Sequence, residues 1–403
     1  MSTAEPRNVP TLTPKVLGGF IGSGVIALIA ANFVPIFISG LSEDLGFDLG
    51  AAGMIATSLA MASVVSMWLA TFFVAKHSRP MIAGSGAILM VIGFGLAAVF
   101  YSPQIVPLGL IVAGLGCGIM AAASVAAVSS TADPDKSTTV IALINRLAVS
   151  ALFLLAPVWF GDLRSVFVVL AILGGLGLVL VRGLPNPPTP RLATSAPPDS
   201  AAGHTLKLSG VILAIALGLW SMTEDMVYSL TTAVFGVHAG LSPEASTSAL
   251  AYKVLGGLLG TVLAPLALKK LGRSMAIVLV VIVSTASKFI LITTGDPTAY
   301  IISLIVWGVV YLTALVLVLG LAAQMDLSGR TGVFVNSLYT VGIAMGPLIG
   351  GALQPRMSFH AYAVLDCTIA VLAGLTIAAV SIKHTRGHNP RLPLLGDSIR
   401  APQ

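Results

Sequence analysis

Charge is what this sequence has least of. Only 9% of its 403 residues are Asp, Glu, Lys or Arg, against about 25% in a soluble globular domain. So few charges cannot cover a water-facing surface of this size. Disorder is excluded as well, because it goes with low hydrophobicity and high charge. Cysteine is nearly missing. Cys117 and Cys367 both lie inside apolar runs, so there is no disulfide framework, and both read as small packing residues. The six histidines are scattered. No His-Glu-x-x-His, phosphate-loop or Gly-x-Ser-x-Gly motif occurs. No metal, no cofactor and no enzymatic activity are therefore expected. The absence of any Asn-x-Ser/Thr sequon favours a prokaryotic membrane.

What fills the chain instead is apolar: 56% of it, with mean hydropathy +0.99. Twelve apolar runs are each long enough to cross ~30 Å of hydrocarbon. They cover residues 16–39, 51–74, 81–101, 108–131, 138–160, 165–181, 209–236, 245–268, 274–294, 299–323, 332–353 and 359–382. A membrane β-barrel would show short alternating segments instead. The first run is too long for the core of a cleavable signal peptide. The fold class expected is an all-α polytopic membrane protein.

Basic residues set the orientation. With both termini in the cytoplasm, sixteen of the 21 Lys and Arg fall in cytoplasmic segments, two in outside loops and three inside the runs. That bias follows the positive-inside rule. It also reads the net charge of +6 as a topology signal, with no nucleic-acid partner. The expected location is a bacterial inner membrane.

The chain divides into a cytoplasmic tail (1–15), six spans (16–181), a linker (182–208), six more spans (209–382) and a second cytoplasmic tail (383–403). The linker is rich in Pro, Ser and Ala, the composition of an extended connector. The halves repeat weakly. An offset of 192 residues takes Lys15 onto Lys207 and Leu49-Gly50 onto Leu241-Ser242. Basic turns at Lys76–Arg79 and Lys269–Arg273 follow the second and eighth spans, and Pro157 and Pro347 fall late in the fifth and eleventh. Internal repetition of this kind marks secondary transporters, whose site lies near the midplane between the repeats.

Particular motifs sharpen this. Lys269-Lys270-Leu271-Gly272-Arg273 resembles the Asp-Arg-x-Gly-Arg/Lys loop of the major facilitator superfamily. Gly342-x-x-x-Gly346-Pro347-x-x-Gly350-Gly351 in the eleventh span and Gly114-x-Gly116-x-Gly118 in the fourth are glycine patterns similar to those of that family. The resemblance covers essentially the whole chain. It implies two six-helix bundles related by a pseudo-twofold axis, working as a monomer by alternating access. It also departs from the family's drug antiporters. Leu110 stands where they carry an arginine in the fourth span, and the fifth span ends Leu154-Leu155-Ala156-Pro157 without their glycines.

A charge at the centre of a span costs about 2.5–3.5 kcal/mol on insertion scales, so each needs a reason. Arg146 lies ten residues beyond Lys136, roughly 15 Å along its helix. Its planar fork of donors suits a carboxylate or phosphate. It is either an anchor for an anionic group on the substrate or half of an interhelical ion pair, with Asn145 next to it in sequence but turned about 100° away. Glu224 and Asp225 interrupt the seventh span. Either could couple transport to protons, or could be held in a salt bridge with Arg146 or Lys253. Trp220, Glu224 and Tyr228 share one helix face, and Asn32 occupies the repeat position equivalent to Glu224. Lys253 is a second anion contact or the partner of one carboxylate. Lys288 and Asp366 read as structural: Lys288 is expected to snorkel outward from a peripheral helix and Asp366 to sit shallowly in another. By the resemblance, Trp307, Tyr311, Asn336, Tyr339 and Thr340 lie on cavity helices and form a polar-lined set. The resemblance further implies a cytoplasmic gate drawn from Arg79, Asp133, Asp135, Lys269, Arg273 and Asp326.

The function expected is proton-coupled uptake of a small organic anion or zwitterion, with protons and the lipid bilayer as the other partners. The alternatives are proton-coupled efflux of drugs or metabolites on the same fold and, more remotely, a membrane enzyme or a transporter-like sensor.

Overall fold

The computed structural model describes residues 10–74, 77–159, 161–186, 208–325 and 330–388. Most of the linker, the first and last residues of the chain and Asp326 lie outside the described residues. No strand occurs among those described.

Twelve spans are present among the described residues, as the hydropathy predicts. The first, α1, comes in two parts, Pro14–Asn32 and Val34–Glu43. It is followed by α2 (Leu49–Val74), α3 (Arg79–Val99), α4 (Ile105–Val128), α5 (Pro134–Trp159) and α6 (Leu163–Leu180). The second half begins with α7 (Leu208–Tyr228), which continues through a π-helical turn at Thr231–Phe235 and a short turn at Gly236–His238. Then come α8 (Pro243–Leu271), α9 (Arg273–Thr293), α10 (Pro297–Met325), α11 (Arg330–Leu353) and α12 (Phe359–His388). The sixth span, the shortest of the apolar runs, reaches Gly183 as a candidate membrane segment.

The helices begin where local chemistry allows. Thr13 accepts from the Val16 amide ahead of Pro14, and Asp162 with Ser165 forms a reciprocal capping box at the start of α6. Ser242 caps α8 through the Ala245 amide, and Gly272, at φ +73°, ends that helix in a conformation other residues rarely adopt. Large apolar side chains stay exposed on the outside, among them Trp68, Phe72, Val158, Ile172, Leu259 and Leu372. Such a surface is stable only against lipid.

The two halves meet along α2–α11 and α5–α8. Two spans are broken where the halves touch. Proline 35 has no amide to donate, and α1 kinks at Phe33, whose backbone leaves the helical region. Span α7 breaks at Ser229–Leu230. The Tyr228 hydroxyl donates to the Asn32 carbonyl at 2.7 Å, and the Thr232 hydroxyl donates to the Pro35 carbonyl at 2.7 Å. These bonds tie the halves together and occupy carbonyls near the kink, a requirement for irregular backbone at membrane depth. Beside them α2 and α11 touch backbone to backbone. A Cβ on Gly53 would stand 2.2 Å from the Pro347 carbonyl oxygen, and the Leu348 amide donates to the Thr57 hydroxyl at 3.1 Å. The result is a seal on the side of the bundle away from the chain termini.

Candidate functional site

A cavity of about 340 Å³ lies between the halves, on the terminal side of that seal. Segments of α1, α2, α4, α5, α7, α8, α10 and α11 line it. Asn32, Asn145, Arg146, Glu224, Asp225, Tyr228, Lys253, Tyr311, Tyr339 and Thr340 all reach its wall. Residues that the sequence spreads over more than 300 positions are thus brought together.

Arg146 is half-buried on α5. Its Nη1 lies 3.4 Å from the Asn32 Oδ1, a long hydrogen bond, while the Asn32 amide donates to the Leu28 carbonyl at 2.7 Å. Among the described residues no carboxylate lies within ion-pair distance of the guanidinium. Asn145 faces the same cavity but donates to the Val25 carbonyl at 3.2 Å, a contact that fixes α5 against α1. The carboxylate of Asp225 is also without an ion pair among the described residues. It is half-buried, and its backbone lies close against α11, where a Cβ on Gly346 would fall 2.5 Å from the Asp225 Cβ.

Lys253 is placed by packing. A Cβ on Gly308 would meet the Lys253 carbonyl oxygen at 2.1 Å, so α8 and α10 can approach only because α10 has glycine there. The ammonium then sits 4.0 Å from the Tyr228 ring centroid, 3.9 Å from that of Trp307 and 5.2 Å from that of Tyr311. Cation–π contacts of this kind contribute about 0.5–2 kcal/mol each, more as water is excluded. Behind them Trp220 stacks on Tyr311 at 5.5 Å, and the Tyr311 and Tyr339 hydroxyls are 2.6 Å apart. Trp220 and Trp307 thus shape the cavity from behind without lining it, and Asn336 is exposed outside it.

Glu224 corrects one expectation. Its partner is neither Arg146 nor Lys253 but Lys288, whose Nζ is 3.1 Å from the Glu224 Oε1. The Trp307 indole N–H donates to the Glu224 Oε2, and the Ser284 hydroxyl donates to Oε1 at 3.4 Å. Lys288 corrects a second. It does not snorkel outward: its side chain is 0% exposed, and its Nζ also lies 2.9 Å from the Asp366 Oδ2. Asp366 is likewise buried, not shallow. Desolvated charges pair with one another instead of each stretching separately to the membrane edge. The sequence did hold a signal for this. Lys288 stands five residues before the end of α9 and Asp366 seven after the start of α12. They lie roughly 8–11 Å from the same face, opposite charges at matching depth.

At the terminal end, Arg79 donates to the Ser130 hydroxyl at 2.5 Å and the Pro185 carbonyl at 3.3 Å, both within its own half. Arg273 donates to the Leu317 carbonyl at 2.6 Å, again within its half. Asp133 accepts from the Lys136 amide at 2.9 Å, and Lys269 is exposed in the last turn of α8. The Asp135 side chain, like Asp326, lies outside what is described.

Among the described residues, then, a bundle of twelve spans is closed at one end by the α2–α11 contact and holds a charged cavity behind it. The profile of the Major Facilitator Superfamily matches residues 19–347. The chain belongs to the Major Facilitator Superfamily. As a member of that superfamily it is a membrane transporter and not an enzyme. Solved structures with the same fold include the nucleoside transporter NupG (TM-score 0.71, 14% identity, 91% of this chain and 99% of that one). A mutant form of the peptide transporter POT aligns at TM-score 0.69 with 15% identity, over 94% and 97% of the two chains. A D-xylose-proton symporter aligns at 0.66 with 17% identity, over 90% and 95%. No protein of curated function matches the sequence.

Proposed function

We propose that this superfamily member takes up a small organic anion or zwitterion together with protons. The observation that carries the reading is Arg146: a permanent cation on the cavity wall, facing no carboxylate within ion-pair distance among the described residues. A buried guanidinium is costly when unmatched and is stabilised when an anion arrives. Lys253 can leave its aromatic box to take a second oxygen of the cargo. Asp225 is a free carboxylate on the same wall, able to receive an ammonium group of a zwitterion or a proton; Glu224 lies beside it. With both termini cytoplasmic in a bacterial inner membrane, the seal closes the outer side and the cavity faces the cell interior. The gate residues Arg79 and Arg273 would then exchange their present intra-half partners for acidic ones across the cavity when the protein turns outward. The carrier acts as a monomer.

Asp225 also supports a second reading, efflux of an organic cation, in which the carboxylate receives the cargo and Arg146 only braces α1 and α5. One experiment separates the two. Proteoliposomes under an imposed pH gradient are offered a panel of small carboxylic and amino acids and of cationic dyes. Uptake of acids, lost in Arg146→Gln, is the expected result. Dye transport that persists in Arg146→Gln decides for efflux.

A further inference from the structure

Behind the cavity wall, α7, α9 and α12 meet around three ionisable side chains. The Lys288 ammonium is 3.1 Å from Glu224 and 2.9 Å from Asp366, and the three side chains are 0–1% exposed. Two carboxylates therefore share one ammonium almost wholly shielded from solvent, with Glu224 alone at the cavity wall. Fully ionised, the cluster carries one uncompensated negative charge. Among the described residues the other groups facing it are neutral: Trp307 from α10, Ser284 from α9, Cys367 and Tyr362 from α12, Thr223 from α7. The nearest further charges, Asp225 and Lys253, are of opposite sign and offset one another. An unmatched buried charge is expensive, whereas one added proton makes the cluster neutral.

The surroundings say where that proton sits. Glu224 is met by three donors, the Trp307 indole, the Ser284 hydroxyl and Lys288, which cover both of its oxygens and favour the ionised form. Among the described residues Asp366 is met by Lys288 alone, at 2.9 Å, and neither of its buried oxygens has a further hydrogen-bond donor. We propose that Glu224, Lys288 and Asp366 form a proton-binding site in which Asp366 holds one transferable proton, with Glu224 as its port to the cavity.

The transfer balances. Lys288 gives an N–H proton to Glu224, and the lone pair this frees takes the O–H proton of Asp366, so that Lys288 ends as the ammonium it began as. Before the step the cluster is a carboxylic acid, an ammonium and a carboxylate; afterwards the two acids have exchanged roles. The net charge is zero in both arrangements, so neither leaves an uncompensated ion in the protein interior. Glu224 lines the cavity, so a proton that reaches it is in contact with cargo and water. The site deepens the proton-coupling part of the proposed function and rests on that reading for its role. The bound proton itself is read without any cargo, so failure of anion transport and failure of this site are separately visible.

The test is infrared spectroscopy of the full chain at pH 7 in a detergent free of ester groups. The protein carries Asp225→Asn together with Lys253→Gln, which removes that offsetting pair as a pair, and carboxyl-13C aspartate, which leaves Asp366 as the one aspartate deep within a span. The expected result is a C=O band of a protonated carboxylic acid that moves down in frequency on labelling and disappears when Asp366→Asn is added. The proposal is overturned by the absence of such a band, by a band that ignores the label, or by one that survives Asp366→Asn. Should the Asp366→Asn chain not fold, the label response of the parent decides alone.

Discussion

At the scale of single residues, two cations at membrane depth behave differently because their surroundings differ. Arg146 has a long contact to an amide oxygen and an open cavity beside it, so removing its charge leaves little unsatisfied in the empty protein. Arg146→Gln is expected to leave the melting temperature nearly unchanged while reducing uptake of the transported acid at least tenfold. Thermal shift and proteoliposome uptake on the same preparation check both halves of that statement. Lys288 has two carboxylates and a side chain closed off from solvent. Lys288→Met strands them and is expected to destabilise by about 3–5 kcal/mol. Asp366→Asn leaves the Lys288–Glu224 pair intact and is expected to cost clearly less. Comparative denaturation of the two variants is the measurement; equal losses would contradict the charge count drawn above. Both lysines and Arg146 were visible in the sequence as charges in oil. Which of them faced a cavity and which faced a partner was not, because a helix tells only the angle between neighbours and nothing of what stands opposite.

At the scale of elements, helix ends and helix breaks carry the local determinants. The Asp162 carboxylate at the start of α6 accepts from the Ser165 amide and hydroxyl at 2.8 Å and 2.7 Å. These two bonds, the larger causes, hold its carboxyl below the usual carboxylate range. A carboxyl lowered by folding stabilises the native state above its unfolded value, ~3.9, and that contribution is lost as pH falls through the lower folded value. Asp162→Ala is therefore expected to lower the melting temperature at pH 7, by the equivalent of about 1 kcal/mol for a lost cap. The difference from the wild type should shrink as the medium is acidified below pH 4. The capping motif and the spans themselves are readable from sequence, since composition and period specify them. The break in α7 at Ser229–Leu230 is not. No proline marks it, and it comes with contacts to α1 that lie almost 200 residues away.

For the molecule as a whole, alternation requires the seal between α2 and α11 to open and close. Gly50 and Ala352 face each other across it, with the Ala352 Cα 3.9 Å from where a Gly50 Cβ would be, a disulfide's reach without a backbone clash. With the buried Cys117 and Cys367 replaced by serine, the pair Gly50→Cys and Ala352→Cys should form a disulfide on mild oxidation. Uptake should fall to background when it is oxidised and return on reduction. Uptake that continues in the oxidised protein would show that the halves need not separate there.

Composition and the distribution of lysine and arginine were enough to determine that this chain is a bundle of twelve membrane helices, and a weak internal repeat pointed to two related halves. The reason is that the bilayer is a strict solvent: it admits only long apolar helices and leaves charge to the loops. Only the tertiary structure decided that Glu224 turns to Lys288 and Asp366 while Asp225, one residue on, turns to the cavity with Arg146 and Lys253. Pairing among buried charges depends on distance and water access, which arise when six or more helices converge, and no one of those helices contains them.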